Sequence, residues 1–352
     1  MRDMGNRSIK KNVTLADVAK AAGVATMTVS RYLNEHPNVT DKTARKVKAA
    51  IDALGYRPNL AARLLMGQPS RVIGLIIPNL ANPFFSSIAH AVQQTAHARG
   101  YLVWIAATND ESAKDIKLIE QMRDHQVDGI LLTASPDTRL RQEQLGDVPL
   151  VALDRPVRGV VMDLVTIQDR SAARQAVDHL ISHKYDRIAC FGLPLKIESI
   201  RERIFGYQEA MHSHGLTPLP YLECEDQSSA HRVMKKVLSG KTPVQAILPA
   251  NAAASILALE ALDSLGYSIP DKVAFFSYGE LPLGHLLQPP ISSVVQPTSE
   301  LGERATEFLL DRIANKRPPA GVRLSIPASL KLRASCGCKQ LRRINQDVLE
   351  PR

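Results

Sequence analysis

Residues 14–31 read Thr14-Leu15-Ala16-Asp17-Val18-Ala19-Lys20-Ala21-Ala22-Gly23-Val24-Ala25-Thr26-Met27-Thr28-Val29-Ser30-Arg31. Thr14 is placed to N-cap a helix, and Asp17 adds favourable negative charge in its first turn. Gly23 stops that helix, and 26–33 has the pattern of a second. Two helices joined by a short turn containing glycine match a helix-turn-helix. Thr40-Asp41 cap a third helix that carries Ala44, Val47, Ile51 and Leu54 on one face and ends at Gly55. Tyr56-Arg57-Pro58-Asn59 breaks the pattern. Asn59 can then cap a short segment, 60–66, closed by Gly67 and Pro69. A helix this short is marginal alone in water and needs a partner to fold.

Charge singles out the same region. The chain has 352 residues and a net charge of +9. Residues 1–71 hold 13 Lys+Arg against 5 Asp+Glu, and the remaining residues hold 31 against 30. Almost all the excess, +8 against +1, therefore lies in a small N-terminal head. Such an asymmetry reads as a polyanion-binding head on a neutral body.

From Arg71 the pattern alternates between strands and helices. Val72-Ile73-Gly74-Leu75-Ile76-Ile77 is an apolar run of the kind found in a buried parallel strand, ended by Pro78. Helix 84–99, strand 102–107, helix 112–125 and strands 129–132 and 150–153 follow. A second round starts near Met162, with helices 171–183, 198–214, 230–238 and 252–265. Its strands are 187–191, 246–248 and 273–277. A final helix, 299–315, precedes an extended stretch, 323–332. This alternation predicts a doubly wound α/β architecture. Its length exceeds one open sheet, so two lobes are expected, with a small-ligand cleft between them.

Several function classes are excluded or disfavoured. No run of about 18 apolar residues occurs, so no membrane span is expected. The polar, basic N-terminal residues contain no apolar stretch of a secretory leader, so a cytoplasmic protein is expected. Gly240-Lys241-Thr242 resembles the end of a phosphate-binding loop, but Lys235 stands where that loop needs glycine. No other catalytic signature is present, so the chain is not read as an enzyme and no cofactor is expected. Cys336-Gly-Cys338 is a lone pair with no second ligand pair nearby in sequence, and the ten histidines form no evident constellation. No metal site is expected.

The head string, with Asn34, then Leu54-Gly55-Tyr56-Arg57-Pro58-Asn59 and Gly74-Leu75-Ile76-Ile77-Pro78…Asn82-Pro83-Phe84-Phe85, resembles the lac repressor/galactose repressor family of bacterial transcription regulators. The resemblance covers about 13–335. It implies a helix-turn-helix head over 1–58, a hinge helix and linker over 59–70, a two-lobed periplasmic-binding-protein-like core over 71–335 and a tail over 336–352. It also implies a homodimer on a pseudo-palindromic DNA operator, controlled by a small carbohydrate effector.

The resemblance assigns roles to residues. Thr26, Met27 and Arg31 take the base-reading positions, where Arg31 can bind guanine and Met27 can touch a thymine methyl. Thr28, Ser30 and Asn34 take backbone-contact positions, while Val29 points into the head's core. Thr14, Leu15, Tyr56, Asn59 and Ala62 complete the DNA-facing set. Leu65 matches the leucine that wedges into the minor groove. Ala25 stands where the family commonly has serine, which removes one hydroxyl.

For the effector, the resemblance matches Phe84, Phe85, Arg203 and Asn251 to cleft positions and puts Asp154, Arg155, Lys196, Ser199 and Glu280 in segments around the cleft. Ala252 and Gly279 stand where the family commonly has carboxylates. With those lost beside Arg155, Lys196 and Arg203, the cleft is expected to be positive, with Glu280 as a replacement acceptor. An anionic ligand follows, such as gluconate or a ketogluconate, ahead of a sugar phosphate or a neutral sugar. The rival readings are an enzyme on the same fold and a transport binding protein, which would need a leader and would have no basic head. The tail segment 341–349 has helical spacing but is too short for a coiled coil.

Overall fold

Thr14 and Asp17 cap each other. The Asp17 N–H donates to Thr14 Oγ1 at 3.3 Å, and the Thr14 N–H donates to Asp17 Oδ2 at 2.8 Å. This reciprocal cap opens α1, Leu15–Ala22, and is followed by α2, Thr26–Leu33, and α3, Asp41–Leu54. Gly23 and Gly55 close α1 and α3 at φ of +64° and +60°, the left-handed region that glycine reaches without strain. Val18, Ala19, Ala22, Val29, Val47, Ala50 and Tyr56 form the buried cluster of this three-helix unit.

The computed structural model describes residues 13–33, 37–56, 68–192, 196–224, 226–315 and 321–339. It divides the chain into Met1–Ser70 and Arg71–Arg352. Asn34, Asn59, Ala62, Leu65, the hinge segment 60–66 and the tail segment 341–349 lie outside the described residues.

The second unit contains two six-stranded sheets. The first uses β1 Val72–Ile77, β2 Leu102–Ala107, β3 Gly129–Leu132, β4 Leu150–Leu153, β5 Asp163–Ile167 and β11 Arg323–Ile326, in the order β11-β5-β4-β3-β1-β2. Every neighbouring pair is parallel. The second uses β6 Ile188–Phe191, β7 Leu219–Tyr221, β8 Ala246–Pro249, β9 Ala274–Tyr278, β10 Ser292–Val295 and β12 Ser329–Lys331, in the order β12-β10-β9-β8-β6-β7. Only its β10–β12 pair is antiparallel. Parallel strands buried on both faces need near-continuous apolar runs, which is why β3, β4, β6 and β8 are buried at every position.

Helices cover the sheets. Lobe 1 carries α4 Pro83–Ala98, α5 Ser112–Asp124 and the short α6 Gln142–Leu145. Lobe 2 carries α7 Asp169–Ser182, α8 Glu198–Ser213, α9 Gln227–Leu238 and α10 Ala252–Ser264. The last long helix, α11 Thr298–Ile313, returns to lobe 1 and packs on α4. Gly302 permits that packing, since a Cβ there would sit 2.9 Å from the Ile88 carbonyl oxygen.

The chain thus crosses between lobes three times: after β5, after β10 and between β11 and β12. The last crossing corrects the expectation of one extended stretch over 323–332. Ile326 pairs in parallel with Ile167 in lobe 1, while Ser329 pairs antiparallel with Val295 in lobe 2. Pro327 lies between them, lacks an N–H for either ladder and marks the switch. The core also runs past 335, because Cys336 is fully buried in the lobe 2 cluster. Among the described residues, no helix is long and apolar enough to cross a membrane.

Candidate functional site

In the head, the exposed face of α2 carries Thr26, Met27 and Arg31, while Val29 is fully buried. Met27 is 63% exposed, unusual for so large an apolar side chain. Thr28 and Ser30 are half-buried on the flanks of that face. Thr14 is exposed, with its hydroxyl engaged in the α1 cap by a 2.7 Å bond to Asp17. Leu15 is half-buried against the head's apolar cluster. Tyr56 departs from the sequence reading. It lies inside that cluster, and burial raises its phenol above the ordinary value. A ring that closes a core this small covers apolar area, so packing gives it a role in the head's stability.

In the core, the lobe crossings bring together the elements that carry most of the expected effector residues. A cavity of about 520 Å3 is lined by Asn79, Asn82 and Phe84 from lobe 1, by Ala252, Gly279 and Glu280 from lobe 2, and by Gln296 at a crossing. A smaller recess of about 60 Å3 shares Asn82, Phe84, Ala252 and Gln296 with it. That recess adds Phe85, Asp154, Arg155, Ser199, Arg203 and Asn251. The larger volume falls in the range typical of small-molecule pockets.

Local structure sets each side chain. Asn82 caps α4 through a 3.0 Å bond from the Phe84 N–H. Phe84 is half-exposed to the cavity, whereas Phe85 is buried in the lobe 1 core, edge-on to it at 5.0 Å. Ser199 and Arg203 sit one turn apart on α8, so they share a face. Asn251 caps α10, its Oδ1 accepting the Ala254 N–H at 2.7 Å, which leaves its amide NH2 as a donor. Gly206 lets α8 approach α7 closely, since a Cβ there would lie 2.0 Å from the Arg170 carbonyl oxygen. That approach sets Arg203 against Asp169, the first residue of α7.

Electrostatics correct the expectation of a positive cleft. Arg203 Nε donates to Asp169 Oδ1 at 2.8 Å and its Nη1 to the Ala250 carbonyl at 2.9 Å. The Arg203 guanidinium also lies 4.2 Å from the Tyr278 ring centroid, and the Tyr278 hydroxyl donates to Asp169 at 2.7 Å. Arg155 pairs with Asp110 and lies 3.7 Å from Asp154. Lys196 is exposed and lines neither cavity; its neighbour Ile197 does. Glu280 lines the larger cavity, but Arg333 and Lys331 hold it as an ion pair and depress its carboxyl, so it does not stand free as an acceptor. Each cleft arginine is thus matched by a carboxylate that lies distant in sequence.

On three residues that line the recess, a buried polar atom has no hydrogen-bond partner among the described residues: Asp154 Oδ1, Arg155 Nε, which lies 3.7 Å from Asp154 Oδ2 as an ion pair, and Gln296 Nε2. Buried polar atoms without hydrogen-bond partners are costly, and these three are gathered on residues around one recess. Burial pushes the Asp154 carboxyl up to about 6, against the opposing pull of Arg155. Its backbone is in the left-handed region, at φ +65°. Asp169, Asp110 and Gln296 were not singled out from the sequence. The signal available for Asp169 and Gln296 was their position just after a strand at a crossing between lobes.

A second grouping corrects the reading of Cys336 and Cys338 as a pair without nearby ligands. His179 and His183 of the α7 segment meet the two thiols, and the four donor atoms lie within 4.8 Å of one another. More than 150 residues of intervening chain kept this group invisible in the sequence.

Two family models match: bacterial regulatory proteins of the lacI family over residues 14–59, and the periplasmic binding proteins and sugar binding domain of the LacI family over residues 70–334. The ribose operon repressor of Halalkalibacterium halodurans is 32% identical over 320 residues, 91% of this chain and 96% of that one. The HTH-type transcriptional repressor PurR of Photobacterium profundum is 28% identical over 312 residues, 86% of this chain and 92% of that one. Among solved structures, the lac repressor dimer bound to operator and the anti-inducer ONPF superposes with a TM-score of 0.81 at 24% identity. That match covers 93% of this chain and 99% of the other. The chain belongs to the LacI family of bacterial transcriptional regulators, with a helix-turn-helix head and a two-lobed sugar-binding-type core.

Proposed function

We propose that the protein is a dimeric transcriptional repressor whose operator affinity is set by a small neutral sugar bound between the lobes. The observation that carries the ligand reading is the mixed lining of the recess, where Asp154 Oδ1, an acceptor, and Arg155 Nε and Gln296 Nε2, both donors, make no hydrogen bond among the described residues. A sugar hydroxyl both donates and accepts, so a polyol satisfies such a mixed set. A carboxylate or phosphate satisfies only the donors and would face Asp154. The sugar-acid expectation needed uncancelled charge on Arg155, Lys196 and Arg203. Two of these are paired with carboxylates and the third lines neither cavity. The ribose operon repressor among the relatives supports a neutral sugar as well.

In this reading Phe84 offers a ring face to the sugar, and Ser199, Arg203 and Asn251 supply polar contacts from lobe 2. Thr26, Met27 and Arg31 read bases, Thr28 and Ser30 contact phosphates, and Leu65 wedges into the minor groove. Lobe closure on the ligand alters the spacing of the two hinge segments of the dimer and so the fit to the operator. The head, 1–58, and the hinge, 59–70, carry the DNA affinity.

The test has two arms. Operator fragments selected from genomic DNA are titrated by fluorescence anisotropy with the full chain and with residues 71–352. The full chain is expected to bind with steep salt dependence and the fragment not at all. Thermal shift of the full chain is then measured with D-ribose and other neutral pentoses and hexoses, with gluconate and with hypoxanthine. A shift confined to neutral sugars is expected. A shift with gluconate alone would restore the anionic reading, and one with hypoxanthine alone would replace sugar with purine.

A further inference from the structure

His179 and His183 are four residues apart, at the C-terminal end of α7, so their rings leave the same helical face. They stand edge to face, with centroids 4.9 Å apart. Cys336 ends the 3-10 turn Ala334–Cys336, and Cys338 follows two residues later. The turn is anchored independently of the thiols. Ser335 Oγ donates to the Phe275 carbonyl at 2.7 Å and accepts the Ser292 N–H at 2.8 Å. Gly337, at φ +92°, folds the chain back so that both sulfurs face the histidines. A Cβ there would lie 2.6 Å from the Tyr185 hydroxyl.

Four of the six donor separations lie near those of a coordination shell, and all six are within 4.8 Å. His179 Nε2 lies 3.2 Å from Cys336 Sγ and 3.6 Å from Cys338 Sγ. His183 Nε2 lies 3.4 Å from Cys338 Sγ, and the two sulfurs are 3.4 Å apart. Zinc bonds of about 2.3 Å to sulfur and about 2.05 Å to nitrogen, at the tetrahedral angle, place donor atoms roughly 3.4–3.8 Å from one another. At this separation the two sulfurs are free thiols, not joined as a disulfide, whose bond is about 2.05 Å. Around the group, Phe276 packs on His179, and Ser292 Oγ lies 3.1 Å from Cys336 Sγ, where its O–H can support a ligating sulfur. Cys336 is fully buried and the other three are half-buried, which limits solvent access to a bound ion.

We propose that His179, His183, Cys336 and Cys338 form a tetrahedral Cys2His2 site for zinc. Two thiolates neutralise the charge of a divalent ion, and the mixed sulfur and imidazole set selects zinc over hard cations. All four positions are filled by protein, so the site is structural. It ties the end of the core to α7, the helix whose first residue, Asp169, holds Arg203 in the cleft.

The test uses tag-free, full-length protein purified under reducing conditions. Zinc stoichiometric with the chain is expected by elemental analysis. Chelation is expected to lower the melting temperature, and zinc but not magnesium to restore it. Cobalt(II) in place of zinc is expected to give thiolate-to-metal charge-transfer bands and the intense visible absorption of a tetrahedral centre. Cys338→Ser and His183→Gln, at half-exposed positions, should each weaken or abolish that spectrum. Should either variant fail to fold, the chelation and cobalt measurements on the unaltered protein still decide. Reduced protein that takes up neither zinc nor cobalt overturns the proposal. So does a cobalt spectrum unchanged in both folded variants, or a Cys336–Cys338 disulfide that re-forms after reduction without metal uptake.

Discussion

In the head, Lys20, Arg31, Lys42, Arg45, Lys46 and Lys48 all stand exposed, whereas in the core Arg155 and Arg203 are 7% and 5% exposed and each meets a carboxylate. The same residue types do different work because water surrounds one set and protein the other. Exposed cations keep their hydration, act through a summed field and exchange it for phosphate contact at little cost. A buried guanidinium must be paired, and once paired it contributes geometry rather than net charge. Counting charges along the sequence therefore described the head well and the cleft badly.

The sharpest way to break this contrast is to remove one buried partner. Arg203→Ala leaves Asp169 buried with the Tyr278 hydroxyl as its remaining side-chain partner, and the expected loss is about 3–5 kcal/mol of core stability. Urea unfolding of residues 71–352 measures it. A loss below about 1 kcal/mol, the scale of an exposed pair, would mean that Arg203 is solvated like a head residue.

Asp154 offers a second test. Its folded-state value of about 6 lies above the ordinary 3.8, so the folded core holds this proton more tightly than the unfolded chain does. The protonated form therefore favours folding as pH falls from about 6 towards 4. That advantage is lost as pH rises through the same window. Asp154→Asn, neutral throughout, is expected to flatten this dependence and to exceed the parent protein in stability at pH 8. The ceiling is on the order of 3 kcal/mol, from a shift of about 2 pH units. Equal pH profiles by thermal denaturation would contradict it.

On the head, Arg31→Ala is expected to weaken operator binding by about 1–3 kcal/mol per half-site and to relax base preference there. An equal loss on unrelated DNA would reassign Arg31 from bases to phosphates. The smallest effect concerns Tyr56→Phe. With the ring inside the head's core, removing its hydroxyl should leave both head stability and operator affinity within about 0.5 kcal/mol. A clear loss of affinity with unchanged stability would return Tyr56 to the DNA-facing set.

Local signals carried much of the fold. The Thr14–Asp17 cap, the Gly23 and Gly55 stops, Val29 turned inward and Met27 turned outward follow from spacing within one helix or its ends. The apolar runs of β1, β3 and β4 were legible because parallel strands bury both faces. Short strands were not. β7 has three residues with Pro220 at its centre, and β12 has three residues beyond Pro327, so neither has the length for a periodic pattern.

Sequence alone determined the helix-turn-helix head, its positive charge and the α/β alternation of the core, because each rests on neighbours within a few positions of one another. Tertiary structure alone decided which charges cancel and which ligands meet. Arg203 finds Asp169 34 positions away, Arg155 finds Asp110 45 away, and Cys336 finds His179 157 away. Pairings of that range are set by three crossings between lobes and by the close approach of α7 and α8 at Gly206. A linear pattern has no period that records such contacts, because the chain between them is free in length and composition.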